Sequence, residues 1–417
     1  MTEMDALSFV IVGHVDHGKS TLIGRLLYDT DSLPPDKIEE VKKASAIQGK
    51  QTEFAYLLDH LEEERKQGIT IDTTQVFFKT SKRRYVIIDA PGHVEFVKNM
   101  ITGASQAEAA VLIVDIAEGI REQTRRHSYM LSLLGLDQVI VVLNKMDLVD
   151  FSEDHFNTIK HQILEWLKTI GVEATLYIPI SAIRGDNIAV KSNKMEWYTG
   201  PTFLESMDTL QNKQPPEDKS LLFPVQDVYK IEDKRINAGR VESGTISEGA
   251  EIKILPNGQV TKINSIEKFL ERPHEAIAGE CIGLTTTDSV FLERGNVLCL
   301  PDSEPTLTDR VNANIFWMAK KDFKKEQKLT IRCATQETSC RIESINRRID
   351  SSTLEVLAED ASKIKNLEVA EVVVKTKKPL IITSFNDVQE LGRFVLVQDD
   401  NICAGGIITI AGGDCDR

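Results

Sequence analysis

The chain has 417 residues, of which 41% are apolar and 27% charged, and its formal net charge is −14. A chain of this length holds about two to four domains, and its acidic balance disfavours nucleic acid as a partner. The sequence has no run of about 18 apolar residues and no basic-then-apolar leader, so we expect a cytoplasmic protein with no membrane partner.

The six cysteines form no Cys-x-x-Cys pair, and all lie in the C-terminal third of the chain: Cys281, Cys299, Cys333, Cys340, Cys403 and Cys415. This spacing matches neither a zinc site nor the disulfide framework of a small secreted protein. We therefore expect buried free thiols in a reducing compartment.

Up to about residue 213, apolar and β-branched runs alternate with amphipathic segments such as Glu122 to Leu134 and Asp154 to Ile170. The runs are Phe9–Val12, Tyr85–Ile88, Ala110–Val114, Val139–Leu143 and Leu176–Ile180. Consecutive apolar positions are typical of strands that are buried on both faces of a parallel sheet. The pattern predicts a doubly wound α/β domain over residues 1–213.

A polar stretch with two prolines, residues 211–216, predicts a linker. Beyond it, short β-type runs separated by glycines predict a small β-barrel over residues 218–303. Pro301 and Pro305 then precede a second β-rich block, residues 306–417. We expect a multidomain protein in which the α/β domain is followed by two small antiparallel β-barrels.

The octapeptide from Gly13 to Ser20, GHVDHGKS, stands between an apolar run and the helix-like stretch Thr21 to Tyr28. That context predicts a phosphate-binding loop, whose backbone N–H groups point at phosphate oxygens. Lys19 would contact the β- and γ-phosphates, and the Ser20 hydroxyl would coordinate Mg²⁺. The remaining residues assigned here to nucleotide binding are Gly13, Asp16, His17, Gly18 and Thr21, with His17 shaping the loop.

Two further motifs predict a switch that responds to the γ-phosphate. Asp89 and Gly92 form a DxxG motif after the run Tyr85–Ile88, so Asp89 can hold Mg²⁺ through water while the Gly92 N–H reaches the γ-phosphate. Thr70, in the stretch Gly68 to Ile71, can coordinate Mg²⁺. His93 directly follows the motif and can orient the attacking water. We predict catalytic roles for Lys19, Thr70 and His93.

Base selection is predicted from Asn144-Lys145-Met146-Asp147, which follows the run Val139–Leu143. The Asp147 carboxylate can accept hydrogen bonds from N1–H and the 2-amino group of guanine, a donor pair that adenine lacks. A buried carboxylate left unpaired is costly, so adenine should be rejected. Ser181 and Ala182 follow the last run, where backbone N–H groups can meet the guanine O6.

These motifs, with two predicted barrels behind them, resemble the translation-factor class of GTPases over nearly the whole chain. In that class the phosphate-binding loop, Thr70, Asp89, His93, Asn144 and Asp147 have the roles given above. The resemblance implies a GTPase that uses GTP, GDP and Mg²⁺.

A narrower resemblance points to the large GTPase subunit of bacterial sulfate adenylyltransferase. It is carried by four stretches: Arg125 to Gly135, Phe316 to Ala319, Ile331 to Thr335, and Asn346 to Asp350 with Thr353 to Glu355. It implies that GTP hydrolysis drives formation of adenosine 5′-phosphosulfate and pyrophosphate from ATP and sulfate. The adenylating chemistry would belong to a separate small subunit, which would be the partner.

The alternative is an elongation factor that delivers aminoacyl-tRNA to the ribosome. The second barrel would then need a pocket for the amino acid and the tRNA acceptor end, and basic residues would face the nucleic-acid backbone. The lysines Lys320, Lys321, Lys324 and Lys325 are candidates.

Overall fold

The structure is a computed structural model, and it describes residues 6–33, 74–89, 107–212, 216–231, 234–268, 271–324 and 327–409. The chain divides into two compact units. The first unit is Met1–Lys213 with the short segment Ser351–Thr353, and the second is Gln214–Asp350 with Leu354–Arg417. In the part of the chain described, no helix is long and apolar enough to cross a membrane.

The first unit is built on one sheet with helices around it. Its strands are β1 (Ala6–Gly13), β2 (Thr74–Lys79), β3 (Arg84–Asp89), β4 (Ala109–Asp115), β5 (Val139–Asn144) and β6 (Ala174–Pro179). Its helices are α1 (Lys19–Asp29), α2 (Glu122–Leu133), α3 (Glu153–Thr169) and α4 (Phe203–Met207), and a 3₁₀ helix spans Met146–Val149.

The sheet has the strand order β2-β3-β1-β4-β5-β6. Strands β3, β1, β4, β5 and β6 are parallel, as the consecutive apolar runs predicted, and every residue of β4 and β5 is buried. Strand β2 departs from the parallel pattern because it forms a hairpin with β3. The carboxyl ends of the parallel strands meet at one edge, where ligands of doubly wound sheets bind.

Local sequence explains where several helices begin. The Ser152 side chain accepts a hydrogen bond from the His155 N–H and caps α3. Thr202 and Glu205 form a capping box at the start of α4. By contrast α1 begins after a left-handed glycine, Gly18, with no capping side chain. Among the described residues, no side chain therefore caps the first N–H groups of α1, at the edge of the sheet where the phosphate-binding loop is predicted.

The second unit begins with a closed six-stranded barrel of order β10-β11-β13-β8-β7-β14 and a two-stranded ribbon, β12-β9. The strands are β7 (Leu222–Ile231), β8 (Lys234–Arg240), β9 (Thr245–Ser247), β10 (Glu251–Leu255), β11 (Gln259–Glu267), β12 (Glu275–Ile277), β13 (Cys281–Thr286) and β14 (Val297–Cys299). All pairings in this barrel are antiparallel.

A seven-stranded antiparallel sheet follows, with the order β17-β22-β23-β15-β21-β18-β19. Because β17 also pairs with β18, its strands return on themselves as a second barrel. The elements are β15 (Thr306–Trp317), β16 (Phe323–Lys324), β17 (Leu329–Cys333), β18 (Gln336–Asp350), β19 (Val356–Glu359), β20 (Lys363–Ile364), β21 (Glu368–Ile382), α5 (Gln389–Gly392), β22 (Arg393–Gln398) and β23 (Asn401–Ile408). The predicted α/β domain followed by two antiparallel β-barrels is confirmed.

The two barrels share a small apolar cluster: Leu222, Leu255, Val297, Cys299, Ile381, Val388 and Leu391. Three of the cysteines, Cys299, Cys333 and Cys340, are buried free thiols as expected, and Cys403 is buried as well. Cys281 is also free but exposed, so the expectation of burial was wrong there. Its side chain points outward because β13 alternates between the barrel core and solvent, with Ile282 facing inward. Cys415 lies outside the described residues.

Candidate functional site

The loop between β1 and α1 has the backbone geometry that its glycines predict. Gly18 adopts a φ of +92°, and a Cβ at this position would collide with the side-chain amide of Asn144. A Cβ on Gly13 would meet the carbonyl oxygen of Ile113. Only glycine fits at both positions, because Gly13 lies against its β4 neighbour Ile113 in the sheet and Gly18 lies against the Asn144 side chain at the end of β5.

Lys19, the first residue of α1, extends back over this loop. Its Nζ donates to the carbonyl oxygens of Gly13 at 2.7 Å and of His14 at 3.1 Å. Ser20 and Asp16 are exposed, Thr21 is half-buried, and Asp16 has a left-handed φ of 64°. A cationic side chain and the uncapped N-terminus of α1 thus lie at the same point, an arrangement that favours an anion.

His17 is fully buried beneath the loop and supports it from behind. Its Nδ1 lies 3.4 Å from the carbonyl oxygen of Ile113, and its Nε2 lies 3.5 Å from the Glu118 carboxylate. Burial lowers the pKa of His17, and the neighbouring His14 lowers it further. The ring is therefore neutral at pH 7 and shapes the loop rather than adding charge to it.

Asn144 links the loop to the opposite side of the site. Its side-chain Nδ2 donates to the His17 carbonyl at 2.9 Å, and its Oδ1 accepts from the Ala182 N–H at 3.0 Å. Asn144 is 2% exposed, so both bonds are shielded from water. Two motifs that are far apart in the sequence are thereby held at a fixed spacing.

Asp147 stands in the 3₁₀ helix that follows β5, and Ser181 faces it. The Ser181 hydroxyl donates to Asp147 Oδ1 at 2.6 Å, and Arg184 Nε lies 3.8 Å from Oδ2. The Met146 N–H donates to the Ile180 carbonyl at 3.1 Å, which fixes this turn against the end of β6. The carboxylate is an oriented hydrogen-bond acceptor beside the Ser181–Ala182 backbone.

The remaining predicted site residues are only partly placed. The backbone of Asp89 ends β3, in register with Ile11 of β1, but its side chain lies outside what the structure describes. Thr70, Gly92 and His93 also lie outside the described residues. Their assigned roles stay predictions from the sequence.

Sequence reasoning missed four residues around the loop: Asp115, Glu118, Gln123 and His127. His14 Nδ1 lies 2.6 Å from Gln123 Oε1, across 109 positions of sequence. His127 on α2 is buried, and burial together with the charge of Lys19 lowers its pKa to about 3. Of these four, only Asp115 could have been noticed in the sequence, because it is the one acidic residue at the end of an otherwise apolar strand. Lys145, a predicted base-site residue, forms a 2.7 Å ion pair with it.

Comparison with known protein families covers most of the chain. Residues 4–222 match the Elongation factor Tu GTP binding domain, residues 235–299 match Elongation factor Tu domain 2, and residues 310–409 match the GTP-eEF1A C-terminal domain-like family. The chain belongs to the elongation factor Tu/elongation factor 1-alpha family of GTPases. It is accordingly a GTPase with the domain series of translation factors.

Relatives in this family match along their whole length. "Elongation factor 1-alpha" of Archaeoglobus fulgidus is 38% identical over 94% of this chain and 95% of the relative. The proteins of the same name from Methanopyrus kandleri and Pyrococcus abyssi are 37% and 38% identical, over 97% and 99% of both chains. Among solved structures, sup35 complexed with GDP is 24% identical with a TM-score of 0.45, over 98% of this chain and 95% of that one.

Proteins of this family bind GTP or GDP with Mg²⁺, and the residues present fit these ligands. The fit rests on the donor set: the Lys19 ammonium and the uncapped N-terminus of α1 suit phosphate, and Asp147 is an oriented acceptor for guanine. The Ser20 hydroxyl, exposed in the first turn of α1, is the kind of oxygen ligand that Mg²⁺ takes.

The narrower resemblance to the sulfate adenylyltransferase GTPase subunit was wrong, and so was the small adenylating subunit expected as a partner. The full-length relatives are named Elongation factor 1-alpha. Three of the four stretches that carried the resemblance supply core side chains: Phe316 and Trp317 are 1% exposed, and Cys333 and Leu131 are 0% exposed. In the fourth stretch, Arg348 forms a 2.8 Å ion pair with Glu368 that joins β18 to β21. Residues that fill a barrel core recur wherever that barrel is used, so they do not report a coupled reaction.

Proposed function

We propose that this protein is a translation elongation factor that carries aminoacyl-tRNA to the ribosome in its GTP-bound state. The observation that carries the proposal is the match to proteins named Elongation factor 1-alpha across all three domains, at 37–38% identity and over 94–99% of this chain. A GTPase domain alone serves many outputs, so the barrels that accompany it are what favours this one.

In the proposed site, the loop from Gly13 to Thr21 binds the phosphates and Asn144, Lys145, Asp147, Ser181 and Ala182 bind guanine. Ser20, Thr70 and Asp89 hold Mg²⁺. His93 orients the attacking water, and Gly92 senses the γ-phosphate. Asn144 bridges the two halves, because its amide contacts both the His17 carbonyl and the Ala182 N–H.

An exposed basic cluster supports an RNA partner. Its lysines surround the short β16–β20 ribbon of the second barrel: Lys320, Lys321, Lys324, Lys363 and Lys365. The other lysine of the predicted cluster, Lys325, lies outside the described residues. The net charge of −14 argued against nucleic acid, but a sum over the chain says nothing of how charge is distributed. Clustered lysines are the footprint of phosphate contacts.

A filter-binding titration tests the proposal directly. Protein loaded with a non-hydrolysable GTP analogue should retain aminoacyl-tRNA at submicromolar concentration, and binding should weaken steeply as salt rises. There are two controls: aminoacyl-tRNA with GDP-loaded protein, and deacylated tRNA with GTP-analogue-loaded protein. In each, the affinity should be lower by a factor of about ten or more. Equal retention of charged and uncharged tRNA in both nucleotide states would contradict the proposal.

We also propose domain bounds of 1–213, 218–303 and 306–417, with the cytoplasm as the site of action. The bounds are supported by the first unit ending at Lys213, by β7–β14 spanning Leu222 to Cys299, and by β15 starting at Thr306. Limited proteolysis followed by mass spectrometry of the fragments would test these bounds.

A further inference from the structure

An ion pair with a buried carboxylate and a partly exposed lysine joins the end of β4 to the turn after β5 that precedes Asp147. Lys145 Nζ lies 2.7 Å from Asp115 Oδ2. Asp115 is 2% exposed, and its backbone is in register with Asn144 on the neighbouring strand. Asp115 belongs to none of the nucleotide-binding motifs in the sequence. Its carboxylate nevertheless contacts Lys145, which lies two residues before Asp147.

The other oxygen of Asp115 is also engaged. Oδ1 accepts from the Ala117 N–H at 2.8 Å and from the Glu118 N–H at 3.4 Å. Burial alone would raise the pKa of Asp115, but the bonds from Lys145, Ala117 and Glu118 hold that pKa below its ordinary value. The carboxylate is thus a fixed charge that cannot follow a moving lysine.

Lys145 needs such a fixed partner because its backbone is strained. It has φ 65° and ψ 36°, the left-handed region that a residue with a long side chain seldom adopts. A strained residue of this kind persists only when its surroundings determine it. Here the ion pair holds the side chain, and the Met146 N–H bond to the Ile180 carbonyl holds the next residue. This left-handed turn directs the backbone into the 3₁₀ helix that carries Asp147.

We infer that Asp115 is a positioning residue for guanine recognition, and that it acts by fixing Lys145 so that the turn presents the Asp147 carboxylate to the base. The inference rests on the proposed role of Asp147. It adds an acid outside every motif to the determinants of base specificity. Asp115 itself touches no nucleotide in this scheme.

Comparison of GDP with IDP tests this role, because hypoxanthine lacks the 2-amino group that Asp147 would accept from. Asp115→Asn keeps an oxygen for the Ala117 N–H but loses the ion pair to Lys145. Its dissociation constant for GDP should rise about tenfold and that for IDP only about twofold to threefold, so that the preference for GDP narrows. A merely structural loss would weaken both nucleotides by the same factor, and that result would overturn the inference.

A double-mutant cycle tests whether Asp115 acts through its partner. Lys145→Met should narrow the preference for GDP over IDP at least as much as Asp115→Asn does, and the double variant should be no worse than Lys145→Met alone. Additive losses in the double variant would overturn the inference. If Asp115→Asn fails to fold by circular dichroism, Asp115→Ser, whose hydroxyl can still accept from the Ala117 N–H, decides through the same ratio of GDP to IDP affinity. Glu165→Gln, which breaks the exposed pair with Lys168 on α3, is the matched control and should change neither affinity.

Asp147→Ala, measured in parallel, tests the proposed guanine-binding role of Asp147 separately from the positioning role of Asp115. If Asp147→Ala abolishes the GDP preference while Asp115→Asn leaves it unchanged, the base site stands and the inference is overturned. If Asp147→Ala leaves the preference intact, the proposed base site itself is wrong, and the inference fails with it.

Discussion

The side-chain amide of Asn144 donates a 2.9 Å hydrogen bond to the backbone carbonyl of His17. Its oxygen accepts from the Ala182 N–H, so one buried residue ties the phosphate-binding loop to the loop after β6. An amide is required because it faces an acceptor on one side and a donor on the other. The spacing between the proposed phosphate-binding and base-binding halves of the site therefore depends on this side chain.

Asn144→Asp should weaken both the site and the fold. A carboxylate oxygen would replace the NH₂ that faces the His17 carbonyl, so two acceptors would meet in a buried place. We expect GDP affinity to fall by about 30-fold or more and the free energy of unfolding to fall by about 2 kcal/mol. Fluorescent-GDP titration and urea unfolding measure the two effects.

Asn237→Asp is the matched control for this variant. Asn237 is likewise buried and donates to a carbonyl, that of Leu284 at 3.2 Å, but it lies in the first barrel. It should lose stability without losing GDP affinity. Similar GDP affinities of Asn144→Asp and the parent protein would show that the two Asn144 hydrogen bonds do not determine the geometry of the nucleotide site.

Asp147→Asn should change which purine is preferred. The new amide can keep its oxygen on the Ser181 hydroxyl and turn its NH₂ toward the base, where it would repel the guanine donors and suit the 2-carbonyl of xanthine. GDP affinity should fall by about 10²- to 10⁴-fold while XDP becomes the better ligand. Competition binding with both nucleotides measures this. Asp150→Asn, at an exposed left-handed position of the same turn, should alter neither affinity.

His93→Ala should slow hydrolysis and spare binding. If His93 orients the attacking water, the single-turnover rate of GTP hydrolysis should fall by about 10²-fold or more, while the dissociation constant for GTP stays within about twofold. His161→Ala, at an exposed position on α3, is the control and should match the parent. If His93→Ala and the parent hydrolyse GTP at equal single-turnover rates, His93 does not orient the attacking water.

The hydrophobic pattern predicted much of the fold because parallel strands that are buried on both faces appear in the sequence as runs of consecutive apolar residues. The runs at residues 110–114 and 139–143 became β4 and β5, which are buried at every position. The long strands β18 and β21 were not predicted whole. Register shifts between Ile342 and Ser344 and between Ile345 and Arg347 break the alternation from which β18 would have been read.

The candidate site was predictable where its chemistry lies in contiguous motifs, and the loop, Asn144, Asp147 and Ser181 do lie together. Residues that act through distant partners left no such trace. Gln123 meets His14 only because α2 packs beside the loop. The sequence predicts the wrong coupled reaction because barrel-core residues such as Trp317 pack the fold and carry no information about the reaction.

Lys324→Glu should weaken the binding of aminoacyl-tRNA without changing the affinity for GDP. Lys324 and Lys363 are cross-strand partners in the β16–β20 ribbon, an unfavourable pairing of like charges that a bound phosphate would relieve. We expect affinity for aminoacyl-tRNA to fall about tenfold and the slope of log affinity against log salt to decrease by about one. Lys79→Glu makes the same charge change on β2 and serves as the control. An unchanged salt slope would place the phosphate contacts elsewhere.

Glu242→Gln should stabilise the protein above neutral pH and not below pH 5. Burial and, to a lesser degree, the nearby Glu390 raise the pKa of Glu242 from 4.5 to about 7 against the opposing charges of Arg240 and Arg393. The folded state thus binds this proton more tightly than the unfolded state does, so stability is lost as the pH rises from about 4.5 through about 7. Glutamine has no proton to lose, and its free energy of unfolding should exceed that of the parent by on the order of 2 kcal/mol at pH 8. Urea unfolding at pH 4.5 and pH 8 measures the difference, and the exposed Glu251→Gln is the control. A gain of the same size at both pH values would mean that the titration of Glu242 between pH 4.5 and pH 8 does not explain the effect.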